Sequence, residues 1–299
     1  MNIVVTGSLG HIGQPLTAEL VQKGHTVTVI SSNPERREAI EALGATAAIG
    51  SLEDAGFLIA TFAGADAVFA MVPPNYAMPD QVAYYRQIGT NYARAIRQSG
   101  VRRVVHLSSY GADLDKGTGF ILGSHHVENT LNELPDVNLT HLRAAYFYYN
   151  LYSFVDMINQ QGIMGAIYGG DDKLIMVAPS DIAAVAVEEL ETSGSSAART
   201  RSTIRYVVSD DRTASEVARV LGEAIGKPDL TWVTVSESQT KDALTSSGMP
   251  ASLVTNLVEL GSSIHNGTLR EAYDLHQPVV TGKVKIEDFA QDFAAVFKR

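Results

Sequence analysis

The chain has no cysteine in its 299 residues. That excludes disulfides, thiolate metal sites and a cysteine nucleophile, and it leaves the redox compartment open. Basic tracts are missing too: net charge is −10 and no Lys/Arg run exceeds two residues. An acidic surface repels phosphate backbones, so direct binding to DNA or RNA is not expected. No stretch approaches the roughly 18 consecutive apolar residues of a membrane span. The start, Met1-Asn2-Ile3-Val4-Val5, lacks the basic region and cleavage site of a signal peptide. The expectation is a cytoplasmic protein that does not enter membranes. A metal is not expected either, because no carboxylate or third histidine stands at ligand spacing from His125 and His126.

What is present is an ordinary globular composition, 45% hydrophobic and 19% charged. In the first half, short apolar runs alternate with amphipathic segments, the pattern of βαβ units around a parallel sheet. Strands are expected at Ile3–Val5, Thr26–Ile30, Ala45–Ile49, Asp66–Val72, Val101–Ser108 and Leu139–Leu142. Helices are expected between them, several closed by glycine: Gly24, Gly44 and Gly100. The fold class is α/β, a Rossmann-type doubly wound sheet over residues 1–150. A smaller α/β lobe over residues 151–299 is expected to bind substrate mainly. Within it, Tyr206–Ser209 reads as a strand, and Thr213-Ala214-Ser215-Glu216 is a capping box opening a helix to Ile225. The segment near 204–226 is therefore expected to return to the main sheet, and the lobes to interleave. Gly194–Thr200 reads as a polar loop.

The most informative segment is Thr6-Gly7-Ser8-Leu9-Gly10-His11-Ile12-Gly13, directly after a strand and opening a helix. Each glycine has a physical reason in a dinucleotide fingerprint. Gly7 permits the tight turn, Gly10 clears the approach of a pyrophosphate, and Gly13 allows close helix–sheet packing. Backbone N–H groups and the helix dipole would hold the phosphate. After the second strand the chain reads Ile30-Ser31-Ser32-Asn33-Pro34-Glu35-Arg36-Arg37. No acid stands at the strand tip to accept from the ribose hydroxyls. Ser31, Ser32 and Asn33 can hydrogen-bond a 2′-phosphate and Arg36 can supply charge, which favours NADP(H) with NAD(H) as the alternative. Glu35-Arg36-Arg37-Glu38 also reads simply as a solvated first helical turn.

The spacing Gly7-x-x-Gly10-x-x-Gly13 resembles atypical short-chain dehydrogenase/reductases, and the rest is similar to their NmrA-like branch. Three further segments carry the resemblance: Val104 to Ala112, Leu142-Arg143-Ala144-Ala145-Tyr146-Phe147-Tyr148-Tyr149-Asn150, and Ser180-Asp181-Ile182-Ala183. It implies a cofactor site built from Gly7, Ser8, Gly10, His11, Ile12, Gly13, Ser31, Ser32, Asn33, Arg36, Gly50, Ser51, Met71, Val72, Pro73 and Ser108. The chain departs from the family pattern at Ser32, where many relatives carry arginine, and at Ser51, where an aspartate is common. Ala144-Ala145 replaces proline-glycine. Phe120-x-x-x-Ser124 stands where other members have Tyr-x-x-x-Lys, so tyrosine-mediated carbonyl chemistry is not expected in its usual form.

Two behaviours of the branch fit that loss. One is NADPH-dependent reduction of a quinone, dye or similar conjugated acceptor; the other is a non-catalytic NADP(H)-sensing regulator with a protein partner. A nucleotide-sugar epimerase or dehydratase is the weakest reading. For a reductase the substrate is a small molecule, bordered by Tyr110, Tyr146 and Phe147, with Ser109 or His126 as candidate proton donors. Packing within the protein explains the same aromatics, and a surface role explains the histidine. A homodimer is compatible with either behaviour.

Overall fold

The structure is a computed structural model that describes residues 1–75, 77–192, 202–278 and 282–298. Gly194–Thr200, read as a polar loop, lies outside the described residues.

β-branched residues build the first half because its central strands are covered on both faces. Ile3, Val4 and Val5 of β1 (Asn2–Val5) are all buried. The chain continues through α1 (Gly13–Gln22), β2 (Thr26–Ser31), α2 (Arg37–Ala42), β3 (Thr46–Ile49), α3 (Ala55–Phe62) and β4 (Ala67–Ala70). It then forms α4 (Gln81–Ser99), β5 (Arg103–Ser109), α5 (Ile121–Asn132) and β6 (Asn138–Ala144). Side chains set the helix starts: Asp54 accepts from Phe57 N–H to open α3, and Asp80 accepts from Ala83 N–H to open α4. Gly100, at φ 76°, closes α4 in the left-handed conformation.

The second half contributes β7 (Tyr146–Phe147), α6 (Val155–Gln161), β8 (Ile163–Ala166), β9 (Lys173–Val177), α7 (Pro179–Glu191) and β10 (Thr203–Val207). It ends with β11 (Asp210–Thr213), α8 (Ala214–Ile225), β12 (Thr231–Thr234), α9 (Glu237–Ser246), α10 (Ala251–His265), α11 (Glu271–Leu275) and α12 (Ile286–Phe297). A seven-stranded sheet has the order β10-β6-β5-β4-β1-β2-β3. From β3 to β5 its pairs are parallel, as the doubly wound reading requires. Strand order reverses at β1, so the crevice where open α/β sheets take ligands lies beyond the ends of β1 and β4.

Two compact units result, each drawn from three stretches of chain. The first holds Met1–Ala112, Gly123–Arg143 and Ile182–Arg205; the second holds Asp113–Leu122, Ala144–Asp181 and Tyr206–Arg299. In the first, Val4, Ile30, Phe62, Ile88, Tyr92 and Val104 belong to one hydrophobic core. In the second, β11-β9-β7 and β12-β8 form two small sheets. There α8 packs on α12, and Trp232 packs edge-on against Phe154 with ring centroids 4.7 Å apart.

The edge strand differs from expectation, ending at Val207 instead of Ser209. The reason is local: Ser209 is drawn out of the sheet, its N–H to Met176 O at 2.7 Å and its hydroxyl to Asp181 Oδ2 at 2.6 Å. Asp181 also accepts the backbone N–H groups of Lys283 and Val284, both at 3.1 Å. The residue of the Ser-Asp-Ile-Ala segment is thus a clamp on the chain leading into α12.

Candidate functional site

The ends of β1, β2, β3 and β4 bring together Gly7, Ser8, Ser31, Gly50 and Met71, all expected around a dinucleotide. Thr6 N–H donates to Phe69 O and Ser8 N–H to Ile30 O, both at 3.0 Å, so the turn leaves β1 braced against β4 and β2. Gly7, at φ 90°, lies against Met71: a Cβ there would stand 2.3 Å from Met71 Sδ. Ser8 holds φ 60°, the left-handed region uncommon for non-glycine residues, and its hydroxyl donates to Ser31 Oγ at 3.0 Å. Gly50 N–H donates to Ser31 O, tying in the end of β3.

Gly13 has a different reason from the expected one. A Cβ there would lie 2.0 Å from the carbonyl oxygen of Ser8, so the close approach is to the turn's own backbone. Gly10, exposed at the tip with His11, would meet only Gly7 O, at 3.7 Å. That side of the turn is open to an approaching group. Helix α1 also carries no acidic residue in its first turn, and its N-cap, Ile12, makes no side-chain capping bond. Its positive end is therefore not neutralised by a side chain, unlike those of α3 and α4. A pyrophosphate fits this combination of open backbone and uncapped dipole.

Beyond β2 the three polar side chains are not equivalent. Ser31 is buried, and its hydroxyl also accepts Asn33 N–H at 3.2 Å. Asn33 Oδ1 accepts from Glu35 N–H, capping the short turn Pro34–Arg36. Ser32 and Arg36 are exposed. Ser51 is exposed, and its hydroxyl accepts Glu53 N–H. Val72 is buried beyond β4, with Met71 and Pro73 half-buried on either side.

The two serines ending β5 face opposite ways, as the period of a strand requires. Ser108 is buried and donates to Glu128 Oε1 at 2.5 Å, whereas Ser109 is half-buried. Glu128 in turn accepts Arg143 Nε at 3.0 Å and a terminal guanidinium nitrogen at 2.8 Å. Burial pushes the Glu128 carboxyl up, but Arg143, His141 and Ser108 more than offset it and hold it below the usual range. Neither Glu128 nor Arg143 was expected to pair. The available signal was an arginine inside an apolar strand, which must find a partner.

His126 points at Arg86 of α4, whose guanidinium hydrogen-bonds its Nε2. Burial, then Arg86 and His125, lower its pKa, so the imidazole is neutral at neutral pH. His125 is held by Ala112 O and Asn129. Tyr110 is buried in the first unit; Tyr146 and Phe147 are half-buried in the second, with Tyr168 donating to Tyr146 Oη at 3.3 Å. Among the described residues no group of three or more histidines or acids is placed to hold a metal. No described helix is long and apolar enough to cross a membrane.

The profile of the NmrA-like family matches residues 1–287. The chain belongs to that family. It is 28% identical over 301 residues to an NAD(P)H azoreductase of Xenophilus azovorans, covering 99% of each chain. It is 28% identical over 228 residues to a (4-alkanoyl-5-oxo-2,5-dihydrofuran-3-yl)methyl phosphate reductase of Streptomyces griseus, covering 76% of this chain and 74% of the relative. In fold it resembles an NADPH-dependent quinone oxidoreductase of Escherichia coli solved with NADPH. That match has a TM-score of 0.80 at 20% identity over 97% of this chain and 99% of the other. A Citrobacter triphenylmethane reductase matches with a TM-score of 0.78 at 20% identity, over 98% and 99%.

In this NmrA-like chain, helix α4 carries two further residues that sequence reasoning passed over. Asn91 Nδ2 donates to the carbonyls of Leu52 and Glu53, at 3.1 and 3.0 Å, anchoring the segment after β3. Tyr92 reaches the turn after β1 and the end of β4. Both are internal to a long helix and carry no local motif.

Proposed function

We propose that the protein is an NADPH-dependent reductase of a quinone, azo dye or comparable conjugated acceptor, with NADH as a second donor. The observation that carries it is the turn Gly7–Gly13, with an open face at Gly10 and an uncapped helix behind it. The family and the reductases among its relatives supply the reaction class. When bound, a reduced nicotinamide supplies hydride to the acceptor.

The chain's own residues do the rest. Backbone N–H groups of the turn and the start of α1 bind the pyrophosphate. Ser32, Asn33 and Arg36 face a 2′-phosphate, with the guanidinium supplying the charge. Ser51 borders the adenine, and Met71, Val72 and Pro73 border the ribose. Proton delivery falls to Ser109 as a hydroxyl donor, because Ser108 is committed to Glu128 and neutral His126 to Arg86. Tyr110 in the first unit, and Tyr146 and Phe147 in the second, each offer the kind of aromatic surface on which a flat acceptor stacks. Catalysis then comes mainly from proximity and the exclusion of water, with weak acid help.

The test is acceptor-dependent oxidation of NADPH, beside NADH, across quinones, azo and triphenylmethane dyes and enones. Turnover with NADPH and at least one acceptor is expected. Tight NADPH binding with no turnover on any acceptor would overturn the reductase reading and point to a regulator.

A further inference from the structure

We propose that Tyr92 of α4 is a positioning residue for the dinucleotide turn; this rests on reading Gly7–Gly13 as the pyrophosphate site. Tyr92 is fully buried within the hydrophobic core of the first unit, its ring stacked on Phe62 with centroids 6.4 Å apart. Phenylalanine would fill that space equally well. The hydroxyl is what differs, and it donates to Met71 O at 2.6 Å while lying 3.1 Å from Thr6 Oγ1. Thr6 Oγ1 accepts the N–H of the same Met71 at 2.9 Å. One phenol and one threonine hydroxyl therefore saturate both backbone groups of Met71, just where β4 has ended and the sheet no longer pairs them.

The consequence is geometric. Thr6 is the residue before Gly7, and the Met71 side chain is what Gly7 lies against. Fixing Met71 from below thus fixes the first bend of the turn from two sides, through the backbone of Thr6 and through the thioether. Burial pushes the Tyr92 phenol far up, so it remains a donor at every working pH. Without it, the Met71 carbonyl keeps only the longer 3.3 Å bond from the Thr6 hydroxyl, and the turn is held less firmly. Phosphate binding through oriented N–H groups is sensitive to such shifts, so an affinity loss of roughly tenfold is expected.

The experiment compares wild type, Tyr92→Phe, Thr6→Val and Ile88→Val by titration with NADPH, alongside steady-state kinetics and thermal melts. Ile88 is a fully buried residue of the same helix with no polar link to the turn. Tyr92→Phe and Thr6→Val are expected to weaken NADPH roughly tenfold and raise its KM in step, leaving kcat at saturation unchanged. Ile88→Val should lower the melting temperature while keeping wild-type affinity. If Tyr92→Phe does not fold, Thr6→Val carries the comparison. Wild-type affinity in the hydroxyl variants, or equal weakening in Ile88→Val, would overturn the proposal while leaving the turn assignment intact. No NADPH binding by wild type would defeat the turn assignment, and the proposal with it.

Discussion

Lowering the pH from 7 to 5 is expected to destabilise the fold by about 2 kcal/mol through one buried histidine. His141 of β6 and His106 of β5 face each other with Nδ1 atoms 2.9 Å apart, and His141 Nε2 lies 3.1 Å from Asn132 Oδ1. Asn132 accepts, so His141 carries its proton on Nε2 and receives the Nδ1–H of His106. Protonating His141 at Nδ1 would set that N–H against the Nδ1–H of His106. Burial first, and then the positive charge of Arg143, lower His141 to about 4, with Glu128 opposing. Burial and His141 hold His106 well below the ordinary value. In the unfolded chain both rings titrate near 6.5. The folded state is thus favoured above that value, and the advantage is lost as pH falls toward 4. For His141 alone the loss is about 2 kcal/mol by pH 5 and about 3 kcal/mol by pH 4, and His106 adds to it with the same sign. Glu128 and Glu189 are both held low, so they stay ionised down to pH 5 and leave this window to the histidines. Urea unfolding at pH 7 and pH 5, for wild type and His141→Gln, measures the effect. Glutamine can still accept from His106 and donate to Asn132, but it does not titrate. The variant should show a shallower pH dependence, whatever its stability at pH 7. Equal slopes, or wild-type stability that does not change between the two pH values, would refute the reasoning.

Arg143→Leu leaves Glu128 charged and buried, so urea unfolding should show a loss of roughly 3–5 kcal/mol. Pairing it with Glu128→Leu should recover part of that, and a double variant worse than the single would contradict the ion-pair reading. The two inner glycines separate fold from ligand. Gly13→Ala forces a backbone clash with Ser8 and should cost both stability and NADPH binding. Gly10→Leu has room in the protein and should keep its melting temperature while losing NADPH binding; retained affinity would sink the turn assignment. Arg36→Ala should raise KM for NADPH several-fold more than KM for NADH, and an equal change in both would remove Arg36 from cofactor selection.

Much of this was legible because it is written locally. Helix α8 starts where its capping box says, since Thr213 and Glu216 bond each other's backbone within one turn. The glycine turn was legible because strand, glycines and helix are contiguous. The strands β9 and β11 were not, because the polar run Asp210–Thr213 becomes strand only by pairing antiparallel with Lys173–Met176, far away in sequence.

The same limit governs the site. Two adjacent serines look interchangeable in a sequence, and only the pleat, with Glu128 behind one of them, separates Ser108 from Ser109. His126, one of two histidines near the missing lysine, has its Nε2 engaged by Arg86, forty residues earlier. In each case the deciding partner is a buried or charged group that no spacing rule connects to the residue it controls. The contiguous glycine turn could therefore be read from the sequence. The side chains that brace the neighbouring backbone, Tyr92 at Met71 and Asn91 at Leu52 and Glu53, required the fold, as did Arg143 behind Glu128. The loss of the tyrosine–lysine pair leaves that division in place: the turn and its braces act on how tightly a dinucleotide is held, and the residues around the acceptor act on the step that follows.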